Sequence, residues 1–119
     1  MNISLSRLRK FHEAGAAAHA ALGAANDRWR AAKRSLEDAR TALRIFDDTA
    51  HGNSAKADRF QRERDKLQRD VDAAMQAVEA AEAARDHAGD VWSLANGLAS
   101  RGRAYAADMG VLPADLMEA

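Results

Sequence analysis

Apolar residues recur every seven positions through the first half of the chain. One series is Leu8, Gly15, Leu22, Trp29, Leu36 and Leu43. The second series lies three positions later and consists of Phe11, Ala18, Ala25, Ala32, Ala39 and Phe46. Two ladders with this spacing form a seam along one side of an α-helix, which is typical of a left-handed coiled coil. The pattern therefore predicts a long helix that needs a partner helix along its seam.

The second half of the chain repeats the pattern. Its a-type series is Ala57, Arg64, Val71, Val78, Arg85, Trp92 and Ala99. Its d-type series is Phe60, Leu67, Ala74, Ala81, Ala88 and Ala95. Between the halves, residues 47–55 (DDTAHGNSA) offer Gly52 as a helix stop and Asn53 or Ser54 as the next N-cap. The fold expected is all-α, a long antiparallel two-helix coiled-coil hairpin with helices at about 4–48 and about 54–99.

Composition excludes most other fold classes. The chain has one proline, 5% aromatic residues and few β-branched residues, so a β-sheet has little to form from. Charged residues make up 30% of the 119 positions and cancel to a formal net charge of zero, which favours neither a nucleic-acid nor an acidic-substrate partner. The longest apolar run, residues 14–25, is shorter than the roughly 20 residues that a membrane-spanning helix needs.

Matching the two seams outward from the turn predicts a register. It pairs Leu8 with Ala95, Gly15 with Ala88, and Leu22 with Ala81, so that large residues mostly face small ones. The same register places His19 near Glu82 and leaves two arginines as misfits. These are Arg64 opposite Ala39 and Arg85 opposite Ala18.

The half of the hairpin away from the turn has more alanine than its seam requires. Under the predicted register, Ala14 and Ala21 meet Ala84 and Val91 on one flank, which makes a wide apolar stripe. A wide stripe indicates a third body packed against it. Two readings remain open: exposed alanines that serve only as helix formers, or burial against the chain's own C-terminus or another subunit.

The last segment supplies a candidate for that third body. The two glycines in residues 96–104 (NGLASRGRA) are expected to end the second helix, which divides the chain into a hairpin, 1–99, and a docking tail, 100–119. In the tail we expect a short helix stopped by Gly110 and a final turn begun by Pro113. Its large apolar residues would fold back on the hairpin or dock on a partner. The predicted partner-binding residues are Ala14, Ala17, Ala21, Ala84, Val91, Leu98, Tyr105, Met109, Val111, Leu112, Leu116 and Met117.

No pattern in the sequence indicates catalysis, a metal or a cofactor. His12 and His19 share a helix face but lie about 10 Å apart along it, and three or four convergent ligands are lacking. The chain has no glycine-rich phosphate loop preceded by a strand. Around the turn, Arg28, Arg30, Lys33, Arg34, Arg40 and Arg44 could form a phosphate-binding patch, but interleaved acidic residues favour a solvated surface.

Three functions follow as hypotheses. The first is a non-enzymatic structural or assembly protein that packs into a homo-oligomer or a larger complex, as small helical components of virus particles do. The second is a monomeric helical binder that regulates or inhibits a protein partner, and the third is a nucleic-acid accessory protein. Because the chain has no cysteine and no apolar signal core near residue 1, we expect a cytoplasmic location or a particle assembled there.

Overall fold

The computed structural model describes residues 5–49 and 57–110, and nearly all of these residues are helical. Helix α1 spans Leu5–Thr49 and helix α2 spans Ala57–Asp108. The two helices pack against each other, so the all-α helical hairpin predicted from the heptad pattern is confirmed. The predicted N-caps, Asn53 and Ser54, lie outside the described residues.

Local interactions satisfy the ends of the helices. The Thr49 hydroxyl donates a hydrogen bond to the Ile45 carbonyl at 2.8 Å, which occupies one of the carbonyls that the last turn of α1 leaves without a helical partner. At the start of α2, the carboxylate of Asp58 lies in the first turn. A negative charge there is favourable because the N-terminal end of the helix dipole is positive.

Helix α2 does not end near residue 99 as expected from its two glycines. It continues through Gly97 and Gly102 to Asp108. Beyond that residue, the Gly110 N–H donates to the Ala107 carbonyl at 3.0 Å, and Gly110 has a positive φ of 72°. That left-handed conformation is one that glycine adopts without strain. The separate short helix expected before Gly110 is therefore the last part of α2, whereas Pro113 lies outside the described residues.

Contacts group the chain into two units. The terminal unit contains Met1–Ala25 with Arg85–Ala119, and the central unit contains Asn26–Ala84. Buried apolar residues in both units occupy the predicted seam or continue it by one heptad, which confirms the choice of a and d positions. In the terminal unit these residues are Leu8, Ala18, Ala25, Ala99 and Ala106, and in the central unit the buried residue is Val71.

The register of the terminal unit differs from the predicted one by about one heptad. A Cβ atom added to Gly102 would lie 2.9 Å from Cδ1 of Leu8, so Leu8 packs against Gly102 and not against Ala95. Gly15 likewise faces Ala95 and Ala99, and a Cβ on it would lie 3.9 Å from Cβ of Ala99. Sliding one helix by seven residues keeps every a position opposite a d position, so the heptad pattern alone cannot distinguish the two registers.

Leu8 explains why the helix tolerates Gly102. The Leu8 side chain is only 1% exposed, and burying a leucine contributes about 1.5–3 kcal/mol to stability. A glycine inside a helix costs about 1 kcal/mol relative to alanine. The burial outweighs that cost, and the missing Cβ of Gly102 lets the tip of the leucine approach the backbone of α2 closely.

In the central unit, aromatic and charged pairs join the two helices. The rings of Phe46 and Phe60 stack with centroids 4.9 Å apart. The Arg64 guanidinium donates from Nε to Oδ1 of Asp47 at 3.0 Å and from Nη2 to Oδ2 at 3.3 Å. Arg64 is thus not a misfit opposite Ala39, since it forms a two-pronged ion pair with a carboxylate of α1.

A pair of engineered cysteines tests the register. We expect Gly15→Cys with Ala99→Cys to form a disulfide within one chain, because 3.9 Å between Cβ positions lies inside the range that a disulfide spans. Gly15→Cys with Ala88→Cys matches the sequence-based register and serves as the control. Ala88 lies about 16 Å from Ala99 along α2, so this control is expected to stay reduced. Non-reducing gel mobility of the monomer band distinguishes the two, and crosslinking of the control alone would contradict the structure.

A matched pair of glycine substitutions tests the packing at Gly102. Gly102→Leu is expected to lower the free energy of unfolding by about 1–3 kcal/mol, because the new side chain collides with Leu8. Gly97→Leu is expected to raise it by up to about 1 kcal/mol, because nothing lies within 4 Å of a Cβ at Gly97. Urea unfolding followed by far-UV circular dichroism, at one fixed protein concentration, measures both. Equal effects of the two substitutions would refute the packing.

Candidate interaction surface

One flank of the terminal unit is apolar on both helices. In each helix it is formed by the residues one position before the a ladder, and antiparallel packing brings these positions together on one side of the seam. On α1 these residues are Arg7, Ala14 and Ala21, and on α2 they are Val91, Leu98 and Tyr105, so the flank is apolar apart from one arginine at its end. The large side chains remain accessible, with exposed fractions of 44% for Val91, 37% for Leu98 and 42% for Tyr105.

Two further residues extend this surface outward. Ala17 lies three residues after Ala14 on α1 and is exposed. Leu94 lies between Val91 and Leu98 on α2 and is 65% exposed, and it was not among the predicted partner-binding residues. Its spacing of three residues from Val91 and four from Leu98 was a signal available in the sequence. Together these residues form the apolar flank, which consists of Ala14, Ala17, Ala21, Val91, Leu94, Leu98 and Tyr105.

The contacts of Gly15 with Ala99 and of Leu22 with Gly89 show which residues of the two helices lie side by side, at the same level, along this flank. Ala14 is level with Leu98, and Ala21 is level with Val91. The prediction that Ala14 meets Val91 is therefore wrong by one heptad, for the same reason as the register of the seam. Each small residue of α1 stands beside a large apolar residue of α2.

The remaining predicted partner-binding residues have separate positions. Ala84 is exposed and belongs to the central unit. Met109 is 54% exposed and follows the end of α2, where its N–H donates to the Tyr105 carbonyl at 3.1 Å. Val111, Leu112, Leu116 and Met117 lie outside the described residues.

The other flank of the terminal unit contains a cleft of about 290 Å³. Its polar residues follow the d ladder by one position in each helix. The rings of His19 and Trp92 meet there with centroids 6.1 Å apart, so His19 packs on Trp92 and not beside Glu82 as predicted. The lining residues are His12, Gly15, Ala16, His19, Trp92, Asn96, Ala99 and Arg103.

The central unit has its own cleft, of about 270 Å³, with mixed charge. The Lys33 ammonium lies 4.2 Å from the centroid of the Trp29 ring, a cation–π contact. Glu37, Arg40 and Glu82 also line this cleft. Elsewhere in this unit, Arg30 pairs with Asp27 at 3.7 Å. Two members of the predicted basic patch, Lys33 and Arg30, are thus engaged within the protein.

Over residues 5–49 and 57–110, no three His, Asp or Glu side chains come together as a possible metal site. None of the helices described in these segments contains a stretch long and apolar enough to cross a lipid bilayer. Comparison of the chain with protein-family models, curated proteins and solved structures finds no match.

Proposed function

We propose that the protein is a non-enzymatic assembly module whose apolar flank packs against the same flank of a second copy. The observation that carries this proposal is the exposure of Val91, Leu94, Leu98 and Tyr105 on a single flank. Monomeric proteins rarely leave a contiguous apolar surface of this kind in water, and such surfaces commonly mark interaction sites. The stripe is also wider than a two-helix seam needs, which favours a third helix against it.

The arrangement of large and small residues favours a second copy as the occupant. Along the flank, α2 presents valine and leucine side chains while α1 presents alanines at the same levels. A twofold axis parallel to the helices would place the α2 side of one copy against the α1 side of the other, at the same level along the helices. Large residues would then pack into the spaces beside alanines, and the alanines would permit the close helix approach seen in four-helix bundles. A net charge of zero adds no repulsion between copies.

In this proposal the partners are protein, whether a second copy alone or a larger repeated assembly such as a virus particle. The lack of cysteine fits assembly in the cytoplasm. A non-enzymatic role is in keeping with the sequence, in which no pattern indicates catalysis, a metal or a cofactor.

The second candidate is a monomeric helical binder that regulates or inhibits a different protein. The same apolar flank would serve it, but the matched levels of alanine and leucine would then have no role. A nucleic-acid accessory role is less well supported, because Arg30 and Lys33 already have partners within the protein.

Measurement of the molar mass in solution tests the proposal. Light scattering after size exclusion is expected to give twice the chain mass for the natural sequence. Leu98→Glu is expected to weaken association by about a hundredfold, because the dimer would bury an unpaired carboxylate. Ser93→Glu is the matched control, since Ser93 is exposed on α2 outside the flank and its substitution is expected to leave the mass unchanged.

Far-UV circular dichroism measures the helix content of both variants. Leu98 lies outside the buried seam, so Leu98→Glu is expected to retain its helix content while it loses the dimer. A natural sequence that remains monomeric at high concentration would overturn the assembly proposal in favour of the regulatory binder. A dimer that Leu98→Glu leaves intact would show that the copies associate through another surface.

A further inference from the structure

The outer end of the apolar flank, formed by Leu98 and Tyr105, is bordered by positive charge. On α1, Arg7 continues the flank by one heptad beyond its alanines, and Lys10 lies three residues after Arg7. On α2, Arg101 lies three residues after Leu98, and all three cations are exposed. A segment that covers this outer end would therefore meet apolar side chains beside several cations.

The last turn of α2 directs the chain back toward this surface. The Gly110 N–H donates to the Ala107 carbonyl at 3.0 Å, and the φ of Gly110 is 72°. Both features belong to the Schellman motif, in which the residue after the glycine commonly packs against the last turn of the helix. For Val111 the available neighbours in that turn are Ala106 and Tyr105. Ala106 is fully buried, so Tyr105, which is 42% exposed, is the accessible one.

The composition of the C-terminal segment, residues 111–119 (VLPADLMEA), matches the outer end of the flank. These nine residues lie outside the described part of the chain. The segment combines large apolar side chains with carboxylates, namely Val111, Leu112, Leu116 and Met117 with Asp115 and Glu118. Apolar groups flanked by acids complement apolar groups flanked by bases, which favours this segment as the occupant of the surface.

The C-terminal segment is also long enough to reach Leu98. Leu98 lies twelve residues before Gly110, which is about 18 Å along α2. An extended chain spans about 23 Å over the seven residues from Gly110 to Met117. A segment tethered this closely has an effective concentration of about a millimolar, which exceeds that of a second copy in dilute solution.

We propose that residues 111–119 dock on the outer end of the apolar flank of their own chain and compete there with the second copy. This regulation rests on the proposed function, because both occupants use the same flank. The second copy covers the whole flank, including Val91 and Leu94, and displaces the segment as the protein concentration rises. The C-terminal segment thus sets the concentration at which the copies associate.

Two cysteine pairs in the full chain test the docking by itself. Ala14 is level with Leu98 on the flank, whereas Ala16 is exposed on the same turn of α1 but lies outside the flank. The chain has no natural cysteine. Met117→Cys with Ala14→Cys is expected to form an intramolecular disulfide at least about tenfold faster than Met117→Cys with Ala16→Cys, because docking raises the local thiol concentration at Ala14 only. Non-reducing gels of dilute protein follow the monomer band.

Variants of the C-terminal segment test the competition. Leu112→Ser with Leu116→Ser is expected to tighten the association of two copies by about tenfold, because the segment loses its apolar contacts and leaves the flank open. Asp115→Lys with Glu118→Lys is expected to act in the same direction, because the cations beside the flank would repel the segment. Ala114→Ser with Ala119→Ser is the control and is expected to leave association unchanged. Light scattering over a dilution series measures all three.

The two experiments fail in different ways. Equal disulfide rates at Ala14 and Ala16 would overturn the docking and leave the dimer measurement intact. A dimer that neither segment variant tightens would overturn the competition. A protein that stays monomeric at every concentration would overturn the competition together with the proposed function, whereas the disulfide rates would still decide whether the segment docks. Circular dichroism of each variant measures whether its helices are intact.

Discussion

The packing of Leu8 against Gly102 is the contact on which the alignment of the terminal unit depends. Many other seam positions there carry alanine, which fits opposite a larger residue in either register. Leu8 is the largest fully buried side chain among the described residues, and its tip lies where a Cβ on Gly102 would force it to shift. The levels of the apolar flank and the composition of the cleft both follow from this alignment.

The helices and their seam could be predicted because the necessary information is local. Each a or d position is identified by its own neighbours at three and four residues, and the buried residues Ala18, Ala25, Val71 and Ala99 all lie on the predicted ladders. The end of α2 was harder to predict from the sequence. Glycine is a frequent helix terminator, and only the opposite helix reveals that Gly102 is retained to accommodate a leucine.

The register could not be predicted, because a shift by one heptad preserves every a-to-d contact. The criterion of pairing large with small residues was satisfied by both alignments. This single ambiguity accounts for the errors at the surface. The residues of the apolar flank could be identified from helical spacing, but Ala14 was matched with Val91 when its neighbour is Leu98. The cleft was missed altogether, because Arg103 comes near His12 and Gly15 only in the observed register.

The two flanks of the terminal unit differ in polarity and can therefore bind different kinds of partner. In the terminal unit, most residues before the a ladder are apolar and most of those after the d ladder are polar, so the same pair of helices presents one apolar and one polar surface. A binding event on the polar side need not compete with association on the apolar side. Both surfaces lie beside the same seam, so a change in the alignment of the two helices would change which residues meet on each surface. The missing Cβ of Gly102 therefore bears on both surfaces.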